Sequence, residues 1–284
     1  MKISFSIFPK VLFFLLLAGS ISSCSKDGCT DPNALNYDSE AKNDDGTCTY
    51  ENAEEQTSVK VTLHHRVDGE TLEFNTINYS NDAGNDYSVV RLHYYISDIT
   101  LVNSDGDNHI VDVIHYVDAT QSATLEMMLD SLPKGSYTAV SFRFGISPEK
   151  NHVDSGYLPG TPEHVGMFWP EQMGGGYHFM KLEGRYEKSN DSLENYNTHL
   201  GGLVMMGDDY SSSFVTEVFN LDEPIVITEE DSIIELPIVM NINNWYSNPN
   251  NYDMNDYDDG IMNKPAVQTM LKENGAENVF SVER

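Results

Sequence analysis

From Val59 onward the chain alternates with a period of two. Val59, Val61, Leu63, His65 and Val67 fall on one side, and Lys60, Thr62, His64 and Arg66 on the other. Successive side chains of a strand point to opposite faces, so this spacing predicts a strand with one buried face. Further alternating or apolar runs cover 87–99, 109–117, 123–128, 137–144, 177–182, 200–206, 214–221 and 233–242. Turn formers such as Asp68-Gly69, Asp105-Gly106 and Pro133-Lys134-Gly135 separate them. Many strands with frequent turns predict an all-β fold, an antiparallel β-sandwich or barrel. One short C-terminal helix is expected. Pro265 suits its first turn, Val267, Met270 and Leu271 recur along it, and Asn274-Gly275 reads as its stop.

Composition narrows the partners. The chain has 284 residues, with 16 Lys+Arg against 45 Asp+Glu and a formal net charge of −29. Phosphate contact runs on Lys and Arg, so no nucleic acid is expected as a partner. Docking on anionic lipid headgroups is disfavoured for the same reason. With 39% hydrophobic residues the chain has the material for a core, which argues against disorder. The acidity suits a solvated extracellular surface that attracts cations in general.

The first residues read as an address. Lys2 and Lys10 flank the apolar stretch 11–18, which is too short to span a bilayer and fits a signal peptide over 1–23. It runs through Ile21-Ser22-Ser23 into Cys24, which resembles the bacterial lipobox. That resemblance implies a diacylated Cys24 as the mature N-terminus, and so a membrane partner through the lipid. Several acyl chains on one residue give lasting anchorage. The implied location is the outer membrane, periplasmic or surface-exposed; secretion with cleavage elsewhere is the alternative. Ser25-Lys26-Asp27-Gly28 is similar to the short charged tags of some Bacteroidetes surface lipoproteins.

Cys29 and Cys48 remain, and in an oxidising envelope they are expected to form one disulfide. Closing a loop of that size is worth about 3 kcal/mol in the chain-entropy model. The enclosed segment resembles a small module of Bacteroidetes surface proteins with the pattern GCTDPxAxNYxxxAxxDDGSC. Asp31, Asn33, Asp38, Asp44 and Asp45 are its candidate calcium ligands, since hard cations take oxygen clusters. Asp-Pro and Asp-Asp-Gly are equally ordinary turn formers. The chain thus divides into the signal, an anchor, module and linker over 24–57, and one β domain over 58–284.

No enzyme is expected. The chain lacks a Gly-x-Ser-x-Gly elbow, a P-loop, a His-Glu-x-x-His and a Cys-x-x-Cys. Gly174-Gly175-Gly176 has no helix pattern after it to cradle a phosphate, and the acidic residues are too many to rank as a glycosidase pair. Histidine is more informative. His65 shares the apolar face of its strand with Val61 and Leu63, and His178 shares a face with Met180 and Leu182. Two inward imidazoles on different strands are what a cavity-lining metal site needs, and neutral imidazole suits copper and zinc. His199 is the third candidate, near the start of another strand. For each, a satisfied core histidine is the competing reading. His164, Met167 and Trp169 cluster beside the glycine-rich loop, either as auxiliary soft ligands or as an apolar plug.

Motifs along the β domain resemble the MbnP-like copper-binding domain family of methanotroph copper proteins and Bacteroidetes lipoproteins. They begin with Val61-Thr-Leu-His-His-Arg-Val-Asp-Gly69 and Arg91-Leu-His-Tyr-Tyr-Ile-Ser-Asp-Ile-Thr-Leu101. Leu132-Pro-Lys-Gly-Ser-Tyr137 and Phe142-Arg-Phe-Gly-Ile146 follow. The strongest block joins Gly166-Met-Phe-Trp169 to Gly176-Tyr-His-Phe-Met-Lys-Leu-Glu-Gly184, then His199-Leu-Gly-Gly202. The resemblance implies a β-sandwich that binds one copper ion through histidines. His65 and His199 are the matched ligands, and His178 is added by its facing. In some members a tryptophan oxidised to kynurenine by a partner dihaem peroxidase joins the site, with Trp169 the candidate here. The expected function is copper acquisition or buffering by a cell-envelope lipoprotein. The alternative is a metal-free surface interaction or adhesion lipoprotein, with a glycan-related role as one form of it.

Overall fold

The computed structural model describes residues 26–284 except 33, 50–56, 152–157, 191, 206–207, 231 and 258–259; of 203–211 it describes only backbone. Residues 1–23, expected as a signal peptide, Cys24 and Asn33 therefore lie outside the described residues. The chain falls into two units, Met1–Glu54 and Glu55–Arg284.

In the first unit Cys29 and Cys48 are joined, with their Cα atoms 4.8 Å apart. Asp27–Gly28 pairs in parallel with Asn43–Asp44. Three of the four carboxylates proposed for calcium, Asp38, Asp44 and Asp45, are engaged in turns and an ion pair. Asp38 takes the Lys26 ammonium at 2.7 Å and the Glu40 N–H at 3.0 Å. Asp44 accepts from the Gly46 N–H at 3.1 Å, and Asp45 accepts from the Thr47 hydroxyl at 2.6 Å. Asx turns of this kind are what Asp supplies at a chain reversal. Among the described residues no group of three or more His, Cys, Asp or Glu is placed to hold a metal.

The second unit is an all-β sandwich with a short C-terminal helix. Its longer strands are β1 (Ser58–Val67), β2 (Asp86–Asn103), β3 (Asn108–Asp118), β4 (Glu126–Leu129) and β5 (Gly135–Phe144). They continue with β6 (His178–Glu187), β7 (Leu193–Met205), β8 (Phe219–Ile227), β9 (Ile233–Asn241) and β10 (Phe280–Val282). The larger sheet runs β7–β6–β2–β5, with β3 along β2, β8 along β5 and the short strand Asp208–Ser211 along the other side of β7. The smaller sheet runs β10–β9–β1, with β4 along β1. Every pairing between these strands is antiparallel except β9 with β1, where Ile233 lies beside Ser58 and Asn241 beside Arg66. Parallel neighbours need a long crossover, and here the whole larger sheet intervenes between Val67 and Ile233.

The sheets enclose an aromatic core. Tyr94 stacks on Phe144 with centroids 5.6 Å apart, and Phe144 meets Trp245 at 5.1 Å and Phe280 at 5.4 Å. A four-residue helix α1 (Pro162–Val165) lies in the long connection between β5 and β6. The C-terminal helix α2 (Pro265–Glu277) begins at the expected proline but runs past Asn274-Gly275. That dipeptide is a packing device instead of a stop. The Asn274 amide donates to the carbonyls of Trp245 at 3.0 Å and Asn250 at 2.8 Å. A Cβ on Gly275 would stand 2.5 Å from the Trp245 ring.

Candidate metal centre

Strand parity decides where each histidine points. In the larger sheet Met180 lies opposite Tyr94, while Lys181 lies opposite both His93 and His199. Leu92, Tyr94, Met180, Leu182 and Leu200 are buried on the core side. Alternation therefore puts Arg91, His93, Lys181, Glu183 and His199 on the opposite, outward side. His65 reaches across from β1 and its Nε2 shares a hydrogen bond of 3.0 Å with the Tyr94 hydroxyl, on the core side. His65 and His199 thus lie on opposite faces of one sheet. The trio of His65, His178 and His199 is not gathered into a group.

His178 is on the outward side as well. Counting by twos from Met180 and Leu182 placed it inward, but the register of β6 against β7 shifts between His178 and Met180. One extra residue in a strand turns what precedes it to the other face. The His178 ring accordingly meets His199, with centroids 5.0 Å apart and planes at 89°.

An outward face would be wet, but the chain between β5 and β6 covers this one. Trp169 is only 1% exposed and sits edge-on to His178, with centroids 4.7 Å apart. Its indole N–H donates to the Met173 carbonyl at 3.1 Å. It rests on Gly201, where a Cβ would fall 2.2 Å from the indole. Lys181 donates to the Gly166 carbonyl at 2.6 Å and pins the same connection to the sheet. Met167 contributes its carbonyl, which accepts from the His178 backbone N–H at 2.6 Å and from Nδ1 at 3.1 Å. His164 of α1 stands apart from the pair, bonded through Nδ1 to the Tyr95 hydroxyl at 2.8 Å and stacked on that ring.

Two nitrogens remain. His178 Nε2 and His199 Nδ1 are both buried without a hydrogen-bond partner. A buried polar atom left unpaired costs roughly 1–3 kcal/mol, so two from touching rings call for an explanation. Burial, with His199 and Lys181 adding to it, pushes the His178 pKa down to about 3. The ring is neutral under ordinary conditions and its free lone pair is available to a cation. His199 Nε2 donates to Glu183 Oε1 at 2.9 Å, and Glu183 Oε2 receives Arg91 at 2.6 Å. Burial works to raise the Glu183 carboxyl, but the hydrogen bond from His199 and the charges of Arg91 and Lys181 leave its pKa lowered. From α2, Gln268 donates to the His199 carbonyl at 2.6 Å.

Glu183, Arg91 and Gly201 lie inside the motifs that carry the family resemblance but had no site role assigned from sequence, and Gln268 lies outside them. Glu183 was one acid among many; its place two residues from Lys181 on an alternating strand was the available signal.

A family model described as MbnP matches residues 56–263. The chain belongs to the MbnP family. Among solved structures, MbnP from Methylosinus trichosporium superposes with a TM-score of 0.51 at 14% identity, over 80% of this chain and 98% of that one. At that identity the likeness to the solved MbnP speaks for the fold. No curated relative matches this chain. The family match spans β1 to β9, so the His178–His199 pair lies within the MbnP domain.

Proposed function

We propose that this MbnP-family protein binds one copper ion through His178 Nε2 and His199 Nδ1, with Trp169 alongside. The supporting observation is the pair of buried, unpartnered imidazole nitrogens on touching rings. Imidazole is a good ligand for copper, and the carboxylate nearest the pair is already occupied by Arg91 and His199. His65 is left to its Tyr94 bond on the core side. The protein holds the ion without turnover, for acquisition or buffering, as a cell-envelope lipoprotein tethered to the outer membrane through Cys24. An envelope dihaem peroxidase that oxidises Trp169 to kynurenine is the proposed partner. Copper titration of the full chain against a competing chelator tests the reading. One equivalent is expected for the wild type and for His65→Ala, and strongly weakened binding for His178→Ala and His199→Ala. Undiminished binding in both of the latter overturns it.

A further inference from the structure

A neutral imidazole carries one proton on two nitrogens, and the partner of one nitrogen decides which is left bare. At His199 the partner is a carboxylate, which when ionised only accepts. Glu183 Oε1 lies 2.9 Å from Nε2, so the proton is on Nε2 and Nδ1 carries the free lone pair. That Nδ1 is one of the two buried atoms without a partner. The second carboxylate oxygen is held by Arg91 at 2.6 Å, and Glu183 and Arg91 face each other across the β6–β2 ladder. The carboxylate is thus fixed from the side away from the histidine.

At His178 the arrangement is reversed. Nδ1 donates to the Met167 carbonyl at 3.1 Å and Nε2 is bare. The two rings are therefore held in opposite tautomers, one by a charged acceptor on the sheet and one by a neutral acceptor on the covering connection.

We propose that Glu183, clamped by Arg91, is a positioning residue that locks His199 as its Nε2–H tautomer and so presents Nδ1 as the ligand atom. This rests on the copper reading above for its consequence, but the lock itself is a property of the metal-free chain. A carboxylate behind a ligating histidine also raises the basicity of the ligand, so His199 is the stronger donor of the pair.

The test uses the full chain labelled with 15N-histidine and free of metal. Long-range 1H–15N spectra, which read the tautomer of each ring, are expected to place the His199 proton on Nε2 and the His178 proton on Nδ1. Glu183→Leu is expected to release the lock, populating the Nδ1–H form of His199, and to weaken copper(I) binding by about 10- to 100-fold. A merely structural ion pair would lower stability and leave the tautomer untouched. A His199 proton on Nδ1 in the wild type overturns the proposal without need of any variant. So does a Glu183→Leu chain that keeps both tautomer and copper affinity. If His178→Ala and His199→Ala bind copper like the wild type while the tautomers are as assigned, the copper reading fails and the lock stands.

Discussion

The rings of His178 and His199 stand at 89° to each other with centroids 5.0 Å apart, on neighbouring antiparallel strands. Regular pairing alone does not bring them together. In the ladder His199 lies opposite Lys181, and His178 lies opposite Gly201. The register shift after His178 and the absent side chain at Gly201 are what let the two rings and Trp169 share one space.

Copper should stabilise the fold if it fills that space. A ligand that binds only the native state, present at a hundred times its Kd, adds about 2.7 kcal/mol. A copper-dependent rise in Tm is expected for the wild type and its loss in His178→Ala, read by differential scanning calorimetry. Equal rises in both proteins would move the binding elsewhere.

Gly201→Ala should displace Trp169. The new methyl would lie 2.2 Å from the indole, and the backbone of β7 has ladder partners on both sides. Overpacking of this kind costs about 1–3 kcal/mol. A lower Tm, a changed near-ultraviolet dichroism and weakened copper binding are expected together; a variant indistinguishable from wild type would refute the close seating of the indole.

Gly275→Ala sets two effects against each other. Alanine is the better helix former by about 1 kcal/mol, which favours the variant. Its Cβ would stand 2.5 Å from the Trp245 ring and 2.6 Å from Phe214, which disfavours it by about 1–3 kcal/mol. Net destabilisation is expected in urea unfolding, and a stabilised variant would contradict the packing role.

Acid should weaken the fold through His65. Burial, with His64 adding to it, pushes its pKa from the ordinary 6.5 down to about 4. The folded chain holds the ring neutral while the unfolded chain protonates it, so this contribution is complete above pH 6.5 and lost as pH falls towards 4. At one pKa unit per 1.36 kcal/mol the loss is at most about 3 kcal/mol. Urea unfolding across that window should fall less steeply in His65→Gln than in the wild type. Parallel slopes would show that His65 is not the titrating group.

The strands were legible because alternation is local: β1 keeps its period from Val59 to Val67 and buries the side that the alternation assigned. The outward placement of the site was not. A single-residue slip is invisible in a pattern of period two, yet it reverses the face of His178. His65 looked equivalent to His199 because each lies in a strand; that one points between the two sheets and the other away from them depends on neighbours far off in sequence. Asn274-Gly275 carries the signature of a helix end, and the Trp245 and Phe214 rings against it explain a glycine still inside the last turn. Glu183 needed its partners Arg91 and His199 to be distinguished from the other acids.

The histidine pair is covered by the connection between β5 and β6 and is separated by a full sheet from the core beneath. Such a placement separates the sealing of the site from the folding of the core. The ligand histidines belong to the strands and their cover to one surface connection, so a change in that connection can open or seal the site without touching the interior that folds the protein.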